Sequence, residues 1–175
     1  GGQDDTMIKI PEQIADLGEG VVFVCNVSGG KDSTATALAL VEAGIPHRRV
    51  FADTRREAPE TYDHLDMLRA KLGPIDVVGY PGGRPAKMRE GARFASRMQR
   101  WCTRELKIEP LRDYCDTIEA DGSIVVTVTG IRHEEGTRTN GRGEALEAED
   151  DVAWGGWMWR PIVRWTIADV LAIHH

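Results

Sequence analysis

The residues best suited to chemistry fall in one run, Ser28-Gly29-Gly30-Lys31-Asp32-Ser33-Thr34. Two adjacent glycines let the backbone turn tightly and bring its N–H groups against a ligand. A helix that starts at such a turn adds free N–H donors and a partial positive charge, which favours an anion. Lys31 supplies a full positive charge, and Ser28, Ser33 and Thr34 supply hydroxyls. Asp32 would repel a bare phosphate but becomes useful if Mg²⁺ bridges the two, so it is the candidate metal ligand. Phosphate binding is the economical reading. A Walker loop would need glycine at position 25, where Cys25 stands, and Ser or Thr after its lysine, where Asp32 stands. A dinucleotide fingerprint would need Gly-x-Gly-x-x-Gly, which is absent here. An ordinary capped strand–turn–helix junction would leave the gathering of seven suitable residues unexplained.

The flanking elements must position this loop. The β-branched run Val21 to Val27 precedes it as a buried strand, and Ser33 to Ala43 follows as a helix that stops at Gly44. Further strands are expected over Arg49 to Asp53, Ile75 to Tyr80, Ile124 to Thr129 and Trp157 to Val163. Pro59 to Leu72 reads as a helix with proline in its first turn and Gly73 past its end. A loop at Pro81 to Pro85 leads into a basic, helical stretch to about Arg100, and Arg104 to Ala120 reads as a helix despite Pro110. Arg138 to Gly156, rich in glycine and acids, reads as a mobile lid or exposed loop. Thr166 caps a last helix with Asp169 at its third position. Its pattern is still running at His175, so the protein is expected to continue. Strands alternating with helices predict an α/β fold with a doubly wound, mainly parallel five-stranded sheet covered on both faces. Residues 1–20 form a lead-in and 21–175 one domain.

The 175 residues carry 22 Lys+Arg against 28 Asp+Glu, a net charge of −6, which argues against general affinity for nucleic acid. The block Arg84 to Arg112 is locally basic, with nine Lys and Arg against Glu90, Glu105 and Glu109, and could face a polyanion or nucleic acid. Its bland alternative is a solvated face. The apolar runs are too short to cross a bilayer. Cys25, Cys102 and Cys115 form neither a disulfide framework nor a CxxC pair, which suits a cytoplasmic setting, and three thiols do not supply a four-cysteine iron–sulfur cluster. Cys25 reads as strand packing, and His133 as a loop histidine rather than a base. Trp154, Trp157, Trp159 and Trp165 read as packing rather than base-stacking platforms.

The loop resembles the Ser-Gly-Gly-x-Asp-Ser pyrophosphate loop (PP-loop) of the adenine-nucleotide α-hydrolase-like superfamily. Four more segments narrow the resemblance to the phosphoadenosine phosphosulfate (PAPS) reductase family. These are Phe51-Ala52-Asp53-Thr54 with Pro59-Glu60-Thr61, Trp101-Cys102-Thr103 to Leu111, Gly130-Ile131-Arg132 with Glu134-Glu135, and Trp159 to Ile162 with Trp165-Thr166 and Asp169-Val170. They occur in the family's order. The resemblance implies that Ser28 to Thr34, Asp53, Thr54, Gly130, Arg132 and Arg138 bind the nucleotide, with Lys31, Asp32 and Arg132 in catalysis. Asp53 is a weaker metal candidate than Asp32. For Arg132 the alternative is a surface salt bridge. The sequence departs from the family at Gly136, where Ser is typical, and Arg138 stands one place early.

ATP-using members of the family carry an intact loop, attack the α-phosphate and release pyrophosphate; many bacterial reductases have a degenerate loop and need a C-terminal cysteine, although some reductases keep the loop intact. The intact loop therefore implies ATP with Mg²⁺, activating an acceptor in sulfur metabolism or sulfur transfer. One alternative is a PAPS or APS reductase whose catalytic cysteine lies beyond residue 175. Another is a non-catalytic nucleotide sensor or nucleic-acid-associated subunit. A sulfur-donor protein, a homodimer or a partner subunit are the other partners expected.

Overall fold

The computed structural model describes residues 7–54, 57–79, 108–133, 146–152 and 154–174. The strands are β1 (Val21–Asn26), β2 (Arg48–Ala52), β3 (Asp76–Val78), β4 (Ile124–Val128), β5 (Ala148–Asp151) and β6 (Gly156–Trp159). The helices are α1 (Glu12–Ala15), α2 (Lys31–Glu42), α3 (Pro59–Leu72), α4 (Glu109–Glu119) and α5 (Ile167–Ile173). The strands form one sheet in the order β3-β2-β1-β4-β6-β5, parallel throughout except for the antiparallel β5–β6 pair.

Alternation along the strands builds two cores, since successive side chains point to opposite faces. Phe23, Cys25, Phe51, Val126 and Val128 pack with Ala35 and Leu40 of α2, Leu65 and Leu68 of α3, and Val170 of α5. Val24, Val50, Ala52 and Val125 turn the other way, against Leu111, Cys115 and Ile118 of α4. Ile8 and Ile14, ahead of β1, are buried in the first core. Trp159 is fully buried there with its ring centroid 5.6 Å from that of Phe23, and Trp165 joins it.

Helix ends follow local chemistry. Gly44, at φ +71°, closes α2: its N–H donates to the Val41 carbonyl while that of Ile45 donates to the Leu40 carbonyl. A left-handed residue at this place is nearly free only for glycine. Proline occupies the first turn of α3 and of α4, where no N–H is needed. That accounts for Pro110, since α4 starts at Glu109. Thr166 and Asp169 cap α5 reciprocally, an arrangement that contributes about 1 kcal/mol.

Two expectations need correction. The sheet has six strands rather than five, because part of the expected 138–156 lid is strand β5. Its sequence, Ala148-Glu149-Asp150-Asp151, has little intrinsic β-propensity. The strand is held from outside itself, as Arg160 donates to the Leu146 carbonyl at 2.8 Å and to Glu149 at 3.0 Å, and lies 3.6 Å from Asp151. The strand expected over Trp157 to Val163 ends at Trp159, where Pro161 removes a ladder donor and the chain turns, Val163 N–H reaching the Arg160 carbonyl.

Candidate functional site

Strand β1 sits between β2 and β4, so the connections leaving β1 and β4 diverge to opposite sides of the sheet. A crevice at the carboxyl ends of the strands is the expected ligand position in such sheets. Register makes the two ends level: Cys25 pairs with Val128, and the segments that follow both strands line one cleft. The resulting cleft, about 410 Å³, is lined by Asn26 at the end of β1 and Ser28 beyond it, by Gly30 to Ser33, and by Thr129, Gly130 and Ile131 after β4.

The loop is held from within. Gly29 adopts φ +83°, and a Cβ there would lie 2.7 Å from Thr61 Cγ2 on α3. The Ser28 N–H donates to Ser33 Oγ at 3.0 Å, and Ser33 Oγ donates to the Gly30 carbonyl at 3.2 Å. Gly30 is the N-cap residue of α2, and no side chain caps that first turn. The helix therefore presents its N-terminal amides and partial positive charge at the cleft, as anion binding requires. Lys31 is exposed beside them, whereas Asp32, Ser33 and Thr34 are buried.

Asp32 and Arg132, 100 positions apart in the chain, form a buried ion pair: Arg132 Nε donates to Asp32 Oδ1 at 3.0 Å, with side-chain exposures of 4% and 11%. Asp32 lines the cleft, and Arg132 is buried against its carboxylate. The structure thus brings Arg132 to the loop, but through a buried carboxylate rather than as a surface pair. Gly130 makes the approach possible, because a Cβ there would meet Asp32 C and O at 2.8 Å and Ser33 N at 2.9 Å.

Asp53 directly follows β2, one strand away, its Oδ1 accepting from Tyr62 Oη at 2.7 Å. That bond, helped by burial, pushes the Tyr62 phenol above its ordinary value. Thr54 donates to Glu57 at 3.1 Å. Arg138, Cys102 and the basic block before Arg112 lie outside the described residues. Arg112 itself is engaged by Asp116 and Glu119, both at 2.8 Å, with its guanidinium 5.4 Å from the Trp154 ring centroid. Among the described residues, no group of three or more His, Cys, Asp or Glu is gathered as a metal site. A metal at Asp32 would share the carboxylate with Arg132, which donates to its Oδ1. No helix among them is long and apolar enough to cross a membrane.

Sequence reasoning missed three residues around the site. His64 Nε2 lies 2.8 Å from Thr34 Oγ1, Tyr62 holds Asp53, and His174 Nε2 donates to the Lys31 carbonyl at 3.0 Å. The spacing Thr61, His64, Leu65, Leu68 places His64 on the inward face of α3, a legible signal. His174 gave none, since its contact depends on how α5 packs along α2.

The chain is similar to known proteins. A protein of Escherichia phage 186, described as an uncharacterized 37.8 kDa protein in gpa 5'region, is 28% identical over 204 aligned residues, covering 89% of this chain and 60% of that protein. The chain thus spans about 60% of that curated relative's length. The crystal structure of phosphoadenylyl-sulfate (PAPS) reductase from Candida auris, a phosphate complex, matches with a TM-score of 0.64 at 16% identity, over 95% of this chain and 86% of that one. That likeness is one of fold. The family model of the phosphoadenosine phosphosulfate reductase domain matches residues 22–173, from β1 through the last residue of α5, and the chain therefore belongs to this family.

Proposed function

We propose that the cleft binds the phosphate chain of an adenine nucleotide and that the protein cleaves ATP between its α and β phosphates to activate an acceptor for sulfur chemistry. The supporting observation is the intact Ser28 to Ser33 loop, with an uncapped helix start and an exposed Lys31 opening on the cleft between β1 and β4. An acceptor oxygen attacks the α-phosphorus in line, forming an O–P bond. The bond from that phosphorus to the α–β bridging oxygen breaks, and pyrophosphate leaves with the electron pair. Charge grows on the leaving group, so donors fixed at its position lower the barrier. The α2 amides and Lys31 hold that position. Magnesium would arrive with the nucleotide, neutralising phosphate charge.

Sulfonucleotide reduction is a second reading, favoured by the family itself. It needs a reactive thiolate, and neither described cysteine offers one. Cys25 is fully buried with its thiol pushed up to about 12 by desolvation, and burial also raises Cys115. A reductase mechanism would rest on another cysteine.

Product analysis separates the readings. The protein supplied with ATP and sulfate should release AMP or an adenylylated product plus pyrophosphate, and Lys31→Ala should slow this at least about tenfold. Release of ADP and phosphate, or turnover indifferent to Lys31→Ala, would contradict the proposal. Sulfite formation from PAPS with a thiol reductant would establish the second reading instead.

A further inference from the structure

The wall of this anion cleft contains a carboxylate, and that is a liability unless something cancels it. Asp32 lines the cleft, with its carboxylate in the first turn of α2 beside the amides that should meet phosphate. Two like charges a few ångströms apart in a partly buried site repel strongly. Arg132, itself buried, donates from Nε to Asp32 Oδ1 at 3.0 Å. The close packing of Gly130 on the Asp32 and Ser33 backbone fixes the two elements against each other.

We infer that Arg132 is a positioning residue that acts on phosphate binding through Asp32: it cancels the carboxylate's charge at the cleft wall, so the loop accepts an anion without a metal bridging Asp32. A guanidinium suits this role because it stays charged at any working pH and holds a carboxylate in fixed geometry. The inference rests on the reading that the loop binds phosphate. It differs from both simpler assignments, Arg132 as a phosphate ligand and Asp32 as a magnesium ligand, in the sign of one effect. Removing Asp32 should help a metal-free anion, and removing Arg132 should harm it only while Asp32 is present.

Titration calorimetry with inorganic pyrophosphate, first without divalent metal and then with Mg²⁺, reads that sign in wild type, Arg132→Gln, Asp32→Asn and the double variant. Arg132→Gln is expected to weaken metal-free binding about tenfold or more. Asp32→Asn is expected to leave it unweakened or tighten it, and the double variant to return to within about threefold of wild type. A double variant as weak as Arg132→Gln would overturn the inference, because Arg132 would then touch phosphate itself. An Asp32→Asn variant that loses binding would overturn it too, as would three variants all weakened alike, the result of a merely structural pair. If Arg132→Gln does not fold, with its buried carboxylate left unpaired, Asp32→Asn and the double variant still decide the question. Wild type that binds no pyrophosphate with or without Mg²⁺ would fail the loop reading itself, whereas binding with an additive cycle would fail only the role of Arg132.

Discussion

Gly130 and Gly29 show how single residues shape the site. Gly29 needs a positive φ and sits under Thr61 Cγ2, the end of a side chain that can turn away. Gly130 instead faces backbone, the Asp32 carbonyl and the Ser33 nitrogen, which cannot move without displacing the start of α2. Gly130→Ala should therefore destabilise the protein by about 1–3 kcal/mol, the usual cost of overpacking, and weaken pyrophosphate binding as well. Urea denaturation beside calorimetry checks both, and unchanged values would mean that α2 yields easily. In the sequence Gly130 was legible only as part of a resemblance. Its physical reason, a backbone almost a hundred positions earlier, exists only once β1 and β4 pair. The Asp32–Arg132 contact was hidden for the same reason, although both residues were picked out as candidates.

The elements were readable wherever a local rule decides them. The stop at Gly44, the proline starts of α3 and α4 and the capping box of α5 all follow from neighbouring residues. Strand β5 does not, because an acidic tetrapeptide becomes a strand only when β6 and Arg160 supply its partners. The amino end of β2 holds another arrangement beyond local rules. Arg49 donates to the Leu72 and Pro74 carbonyls, tying β2 to the end of α3, and to His47 Nε2 at 3.0 Å. Since arginine only donates, His47 must accept there and give its Nδ1 proton to the Ile45 carbonyl, 2.9 Å away. Burial holds His47 below its ordinary 6.5, partly opposed by the Ile45 bond and reinforced by the charge of Arg49. The unfolded chain then binds more protons below pH 6.5. This contribution to stability is therefore present above 6.5 and lost as pH falls through the lower folded value. His47→Gln should flatten the fall in thermal midpoint between neutral and mildly acidic pH. An identical slope in both proteins would contradict the arrangement.

At the scale of the molecule, the sheet order matters most. Because β1 lies between β2 and β4, the loop after β1 and the segment after β4 close one crevice, with the cleft at the carboxyl edge of the sheet. The alternation of strands and helices made this architecture legible, and register then brought Asn26, Thr129 and Ile131 into the wall unannounced. The family membership fits a nucleotide site at this crevice, and the proposed function fills it with the full phosphate chain of ATP rather than a sulfonucleotide. Equilibrium binding of Mg·ATP against PAPS, with Lys31→Ala alongside, tests that claim most directly. The account predicts that ATP binds more tightly than PAPS and that Lys31→Ala weakens it at least about tenfold, a loss of roughly 1.4 kcal/mol. Tighter binding of PAPS, or ATP binding that survives Lys31→Ala unchanged, would contradict it.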